Sequence, residues 1–68
     1  MITAGSWVTF RSPDDGKTYT GLVEKIQRWT DIATIAYEHD YGPGIGKFPQ
    51  HEYLHVLKLT PAAEPVAG

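Results

Sequence analysis

The chain has no cysteine. That excludes a disulfide framework and any metal site built on thiolates. No apolar run approaches the roughly 20 residues that a membrane-spanning helix requires. The first residues lack a basic stretch followed by an apolar core, so nothing in them reads as a secretory signal, and a cytoplasmic location is the expectation. Positive charge is also scarce. Six Lys and Arg stand against eight Asp and Glu, for a formal charge of −2. A chain that neutralises many phosphates needs a basic stripe, and none is present, which disfavours nucleic acid without removing a few local phosphate contacts.

What is present suits one small folded domain. The 68 residues are 41% hydrophobic and 21% charged, close to the globular average. A chain of this size buries only about 60% of the surface exposed when unfolded, so its core is small. An enclosed ligand cavity of roughly 300 Å³ or more would consume much of that core, which favours a binding surface over a catalytic pocket.

Periodicity supplies the elements. In Ser6-Trp7-Val8-Thr9-Phe10-Arg11, Val8 and Phe10 share one face and Trp7, Thr9 and Arg11 the other, the alternation of a strand. Ser12-Pro13-Asp14-Asp15-Gly16-Lys17 follows with turn chemistry: Pro presets φ, Asp suits the next position, and Gly16 accepts a positive φ. A second strand runs from about Thr18 to Trp29. Tyr19, Gly21 and Val23 share a parity that Ile26 breaks, and a bulge or bend near Glu24 and Lys25 would restore it. After a short turn at Trp29-Thr30-Asp31, a third strand covers Ile32 to His39, with Ala33, Ile35 and Tyr37 on one face. The stretch Asp40 to Gly46, three glycines around Pro43, reads as the most flexible loop. Lys47-Phe48-Pro49 reads as a short fourth strand whose proline belongs at an edge or just past the strand end. Gln50 to Leu54 has room for a single 3-10 turn, and His55 to Leu59 makes a fifth strand. These readings give an all-β domain over residues 1–59 and a flexible tail over 60–68.

Five short strands, a long bent second strand and a one-turn helix before the last make a recognisable order. The residues Gly5-Ser6-Trp7-Val8, Gly21-Leu22-Val23, Ile35-Ala36-Tyr37 and Glu52-Tyr53-Leu54 carry it, and the pattern covers about residues 4 to 59. In these the chain resembles the SH3-like small β-barrels, the fold of a small photosystem I reaction-centre protein, of the ferredoxin-docking component of photosynthetic NDH complexes, and of KOW and Tudor modules. The resemblance implies a single five-stranded barrel with a 3-10 turn before the last strand. It implies no single function, because such barrels bind ferredoxin, other subunits, RNA or methylated tails. Ferredoxin docking implies a basic contact surface, from which the few dispersed positive residues here depart.

Among candidate site residues the aromatics come first. Phe10, Tyr37 and Phe48 have core parity, whereas Trp7 points opposite to Val8 and Phe10, Trp29 ends a strand, and Tyr41 opens the Gly-rich loop. If the loops after the first three strands group together, Trp7, Trp29 and Tyr41 form a recognition patch with Arg11 and Arg28 at its rim. A single-strand nucleic-acid binder would use the same aromatics with Lys25, Arg28 and Lys47. A self-associating subunit would pair a barrel edge with its own copy. His39, His51 and His55 read as surface histidines, since no carboxylate or thiolate spacing completes a metal set. Ser6 and Ser12 lack a nucleophile motif, and Gly42 to Gly46 lacks the Lys-Ser/Thr ending of a phosphate loop. The expectation is a non-catalytic protein-interaction module, an accessory subunit or adaptor, with no cofactor, no metal and no membrane span.

Overall fold

The computed structural model describes residues 1–65. Five antiparallel strands form one sheet: β1 (Trp7–Arg11), β2 (Thr18–Ile26), β3 (Ile32–Asp40), β4 (Lys47–His55) and β5 (Thr60–Pro61). A 3-10 turn, Val56–Lys58, joins β4 to β5. The all-β class, the five strands and a 3-10 turn before the last one are as the sequence predicts. The strand order is β4-β3-β2-β1-β5, so β4 and β5 are free edges and the sheet stays open. The term barrel therefore fits only loosely. The last strand is too short to close the sheet: its two residues reach only Val8 and Thr9 of β1, and Pro61 brings no N–H. No helix among the described residues is long and apolar enough to cross a membrane.

The first turn forms as its residues dictate. Gly16 takes φ +73°, its N–H donates to the Ser12 carbonyl, and the Ser12 hydroxyl accepts the Asp14 N–H. The register of β1 against β2 then sets Val8 opposite Gly21 and Phe10 opposite Tyr19. Between β2 and β3 the register shifts between Val23 and Lys25. Glu24 is the extra residue, and the bulge brings Val23 and Ile26 to the same face despite their opposite parity.

That face carries the core: Val8, Phe10, Val23, Ala33, Ile35, Tyr37 and Leu59, with Ile2, Tyr19, Ile26, Leu54 and Val56 packed against it. Gly21 lies in its middle because nothing larger fits. A Cβ there would stand 2.6 Å from Ile35 Cγ2 and 2.8 Å from the Ala36 carbonyl oxygen.

The second half of the chain differs from the sequence reading. Gln50–Leu54 is not a 3-10 turn; it continues β4, paired residue by residue with Tyr37 back to Ala33. Pro49 does not end the strand, because β4 is an edge with one side unpaired, where an absent N–H breaks no ladder. The 3-10 turn falls later. His55 caps it, its Nδ1 accepting the Leu57 N–H at 3.1 Å. Leu59, read as the end of a strand, is instead a buried anchor between that turn and β5. Thr60 and Pro61 are not tail but strand, and the Ala62 N–H donates to the Trp7 carbonyl at 2.9 Å. The remainder of the expected tail is described to Pro65, and its last three positions lie outside the described residues.

Candidate functional site

In an up-and-down antiparallel sheet, successive connections lie at alternate ends. The β1–β2 turn and the β3–β4 loop therefore share one end, and the β2–β3 turn sits at the other. That geometry decides where the candidate residues fall. Tyr41 and Arg11 occupy the first end, whereas Trp29 and Arg28 occupy the opposite tip, and Trp7 lies half-buried on the sheet face away from the core. The expected single patch of Trp7, Trp29 and Tyr41 is not assembled. Lys25 and Arg28 likewise lie toward one end and Lys47 at the other, so the three positive residues of the nucleic-acid reading do not converge.

At the first end a continuous file of rings runs from the core to the surface. The buried Phe10 meets Tyr37 edge-on, centroids 5.0 Å apart. Tyr37 meets Tyr19 at 5.1 Å, and Tyr19 stacks on His39 at 5.1 Å with 25° between the planes. His39 meets Tyr41 at 4.6 Å, and Tyr41 meets Phe48 at 6.0 Å. The file follows from pleating. Tyr37 and His39 alternate on the core face of β3, and Phe48 is the register partner of His39.

A polar chain runs through these rings. The Tyr19 hydroxyl donates to Asp15 Oδ2 at 2.7 Å, and the same oxygen lies 3.5 Å from His39 Nε2. His39 Nδ1 is 2.9 Å from the Tyr37 hydroxyl. A ring carrying its proton on Nε2 serves both contacts, facing Asp15 with a donor and accepting from Tyr37. Asp15 Oδ1 also accepts the Lys17 N–H at 2.8 Å. Bonds from Tyr19 and then Lys17 hold the Asp15 carboxyl below its ordinary value. Loss of water around the Tyr19 phenol, reinforced by its bond to Asp15, pushes it up to about 12. Burial, with the charge of Glu52 nearby, raises Tyr37 too. His39 is thus no surface histidine; it is 5% exposed and ties the first turn to β3.

The file ends in exposed apolar surface. Tyr41 is 47% exposed and Phe48 52%, with Ile45, 62% exposed, in the loop between them. Phe48 keeps core parity but stands beyond the core's end, which corrects its assignment to the interior. The loop beneath is held in shape: Asp40 Oδ1 accepts the Gly42 N–H, and Tyr41 and Gly46 close on each other at 3.0 Å. The Tyr41 hydroxyl donates to Gln50 Oε1.

The opposite tip presents a different arrangement. Trp29 is 89% exposed, and the Arg28 guanidinium lies over its ring, 5.9 Å from the centroid. Asp31 takes φ +57°, a left-handed turn position that Asp tolerates better than most residues. On the outer face, His51 Nε2 meets Glu24 Oε1 at 2.9 Å, both side chains half-exposed.

Sequence reasoning misses the grouping of Asp15, Tyr19 and His39. For His39 a signal exists, because the period-two run Ala33, Ile35, Tyr37 extends to it.

Comparison of the chain with curated proteins and with solved structures found no match. Residues 1–60 match the family described as Domain of unknown function (DUF7464), and the chain belongs to that family.

Proposed function

We propose that this chain is a non-catalytic protein-interaction module, a cytoplasmic accessory subunit or adaptor of SH3-like type, whose docking surface is the end bearing Tyr41, Ile45 and Phe48. The observation that carries the reading is the ring file. Exposed aromatics usually lose side-chain entropy when a partner immobilises them. Here Tyr41 and Phe48 stand on a stack rooted in the core, with the Tyr41 hydroxyl already bonded. Rigid aromatics of this kind are favoured as interface hot spots. The strand order and the bulged second strand support the SH3-like reading. Where the rings meet solvent, the polar groups beneath are engaged with one another, which holds the rings in place.

The test is capture of partners from native lysate by the tagged protein, with and without nuclease, beside the double variant Tyr41→Ser/Phe48→Ser. The expected result is one dominant protein that survives nuclease and falls at least tenfold in the double variant, about 1.4 kcal/mol of binding. Unchanged recovery by the double variant would overturn the surface. Recovery that collapses with nuclease would move the reading to nucleic acid.

A further inference from the structure

The long free edge of the sheet is β4. All nine of its residues pair with β3 on one side, and among the described residues no strand lies on the other. Two bonds just past its ends fix which backbone groups face outward. The Tyr41 N–H donates to the Gly46 carbonyl and the Val56 N–H to the Asp31 carbonyl, both in the register of the β3–β4 ladder. The even-numbered residues of β4 therefore bond to β3, and the backbone groups of Lys47, Pro49, His51, Tyr53 and His55 point away from it. At Tyr53 the outward N–H donates to Glu52 Oε1 at 3.1 Å, a carboxylate standing in for the carbonyl an adjacent strand would supply. The other free edge cannot supply that strand, because β5 has two residues and one is Pro61.

We infer that β4 pairs antiparallel with β4 of a second copy, about a two-fold axis at His51. His51 is the middle residue of the strand, so every position from Lys47 to His55 then has a partner. On the core-facing side Phe48 lies opposite Leu54 of the second copy, and Gln50 lies opposite its Glu52. These are positions without ladder bonds, where facing side chains stand closest. Phe48 is 52% exposed and Leu54 half-buried, so their contact covers apolar surface that the open edge leaves to water. Gln50 Oε1 is occupied by the Tyr41 hydroxyl, which leaves the amide N–H groups to donate to the facing Glu52 carboxylate. Glu52 is free to accept them, because the Tyr53 N–H gains the Pro49 carbonyl of the second copy instead. Pro49 has no N–H and costs the new ladder one bond per copy. The two His51 side chains meet at the axis, and each keeps its own Glu24 Oε1 at 2.9 Å as a balancing charge. Neighbouring registers are poorer. An axis at Glu52 would set two carboxylates against each other, and an axis at Gln50 would set Phe48 against Glu52. The contact is the same patch on both copies, so it closes at a dimer. Phe48 also belongs to the docking surface, so pairing of two copies competes there with docking of a partner.

The test is sedimentation of the full chain across micromolar to millimolar concentration, with circular dichroism of each variant to confirm its fold. Wild type is compared with His51→Pro, Gln50→Lys and Gln50→Glu. His51→Pro removes the outward N–H at the axis and spares the ladder to β3, as Pro49 already does. The expected result is a monomer–dimer equilibrium in wild type and a monomer throughout in His51→Pro. By symmetry each Gln50 change acts twice, against Glu52 of the other copy. The dimer should therefore tighten roughly threefold or more in Gln50→Lys and weaken by a similar factor in Gln50→Glu. A wild type that stays monomeric to millimolar concentration would overturn the pairing. So would a dimer that persists in a folded His51→Pro, or Gln50 variants that shift the equilibrium in the same direction or leave it unchanged. Should His51→Pro fail to fold, the opposed Gln50 pair decides alone. The readout is the oligomeric state and not partner capture, so this inference and the Tyr41–Phe48 docking surface can each fail alone.

Discussion

Replacing Gly21 with alanine adds one methyl group to the centre of the sheet and tests how the core is closed. The added Cβ would meet Ile35 Cγ2 at 2.6 Å, the Ala36 carbonyl oxygen at 2.8 Å and Tyr37 Cβ at 3.1 Å. Real Cβ atoms do not approach that closely, so something must shift. Two of the three atoms give little: the carbonyl belongs to the β3 ladder, and Tyr37 Cβ is fixed by a ring wedged between Phe10 and Tyr19. Overpacking of this kind costs about 1–3 kcal/mol, and backbone involvement places the change in the upper half, about 2–3 kcal/mol. A chain of 68 residues has total stability of about 3–10 kcal/mol, so the loss is a large fraction of it. At about 4–8 °C per kcal/mol for a domain of this size, the melting temperature should fall by about 8–24 °C. Thermal unfolding by far-ultraviolet circular dichroism, with urea titration as a second measure, reads this directly. A Gly21→Ala protein within about 0.5 kcal/mol of wild type would refute the account of β2 packing against β3.

Two further outcomes follow from burial and from the Asp15 network. Ile35→Ala empties the middle of the core, where the side chain is fully buried, and should cost about 2–5 kcal/mol, whereas Trp29→Ala at the exposed tip should leave stability within about 0.5 kcal/mol; comparable losses in urea unfolding would place Trp29 in the core. Stability should also fall at both extremes of pH. Asp15 titrates below its ordinary 3.8 in the folded chain, so its contribution is present above that value and lost as pH drops through the lower folded one. Tyr19, raised from 10.0 to about 12, contributes fully below 10.0 and loses that contribution as pH climbs toward 12. Denaturation midpoints measured across pH should show the acid-side fall made shallower by Asp15→Asn and the alkaline fall made shallower by Tyr19→Phe; unchanged slopes in both variants would remove the network from the stability of the fold.

The parts of this architecture legible in the sequence are those where one local rule decides. Gly16 in the first turn and the alternation of β1 need no tertiary information. The bulge at Glu24 is legible because Val23 and Ile26 have incompatible parity and both are apolar. The fourth strand is legible only in its first three residues, for a physical reason. Gln50, His51, Glu52 and Tyr53 carry no hydrophobic alternation, yet burial alternates along them in the structure, since an edge strand on a small core is only half covered. Pro49 resembles a terminator until the strand order makes β4 an edge. The candidate site is a different case. Trp29 and Tyr41 are recognisable as non-core residues, but their mutual position depends on topology, which residue types alone do not reveal.

That dependence governs how any binding result on this protein should be interpreted. Trp29 and Tyr41 sit beyond opposite ends of β3, a strand of nine residues. At about 3.3 Å per residue they are separated by some 30 Å along the hairpin. An interface of ordinary size buries about 800 Å² on each partner, a patch roughly 30 Å across, so one partner centred on Tyr41 and Phe48 would reach only about 15 Å from its centre and leave Trp29 outside. Hot spots cluster near the centre of an interface, where water is excluded. The two ends therefore cannot both lie at the centre of one such contact. The Tyr41 end has the ring file beneath it, a bonded hydroxyl and a hydrogen-bonded loop, whereas the Trp29 ring has only the Arg28 guanidinium stacked on it and is 89% exposed. Preorganisation favours the first end as the proposed docking centre and leaves the second outside a contact of that size.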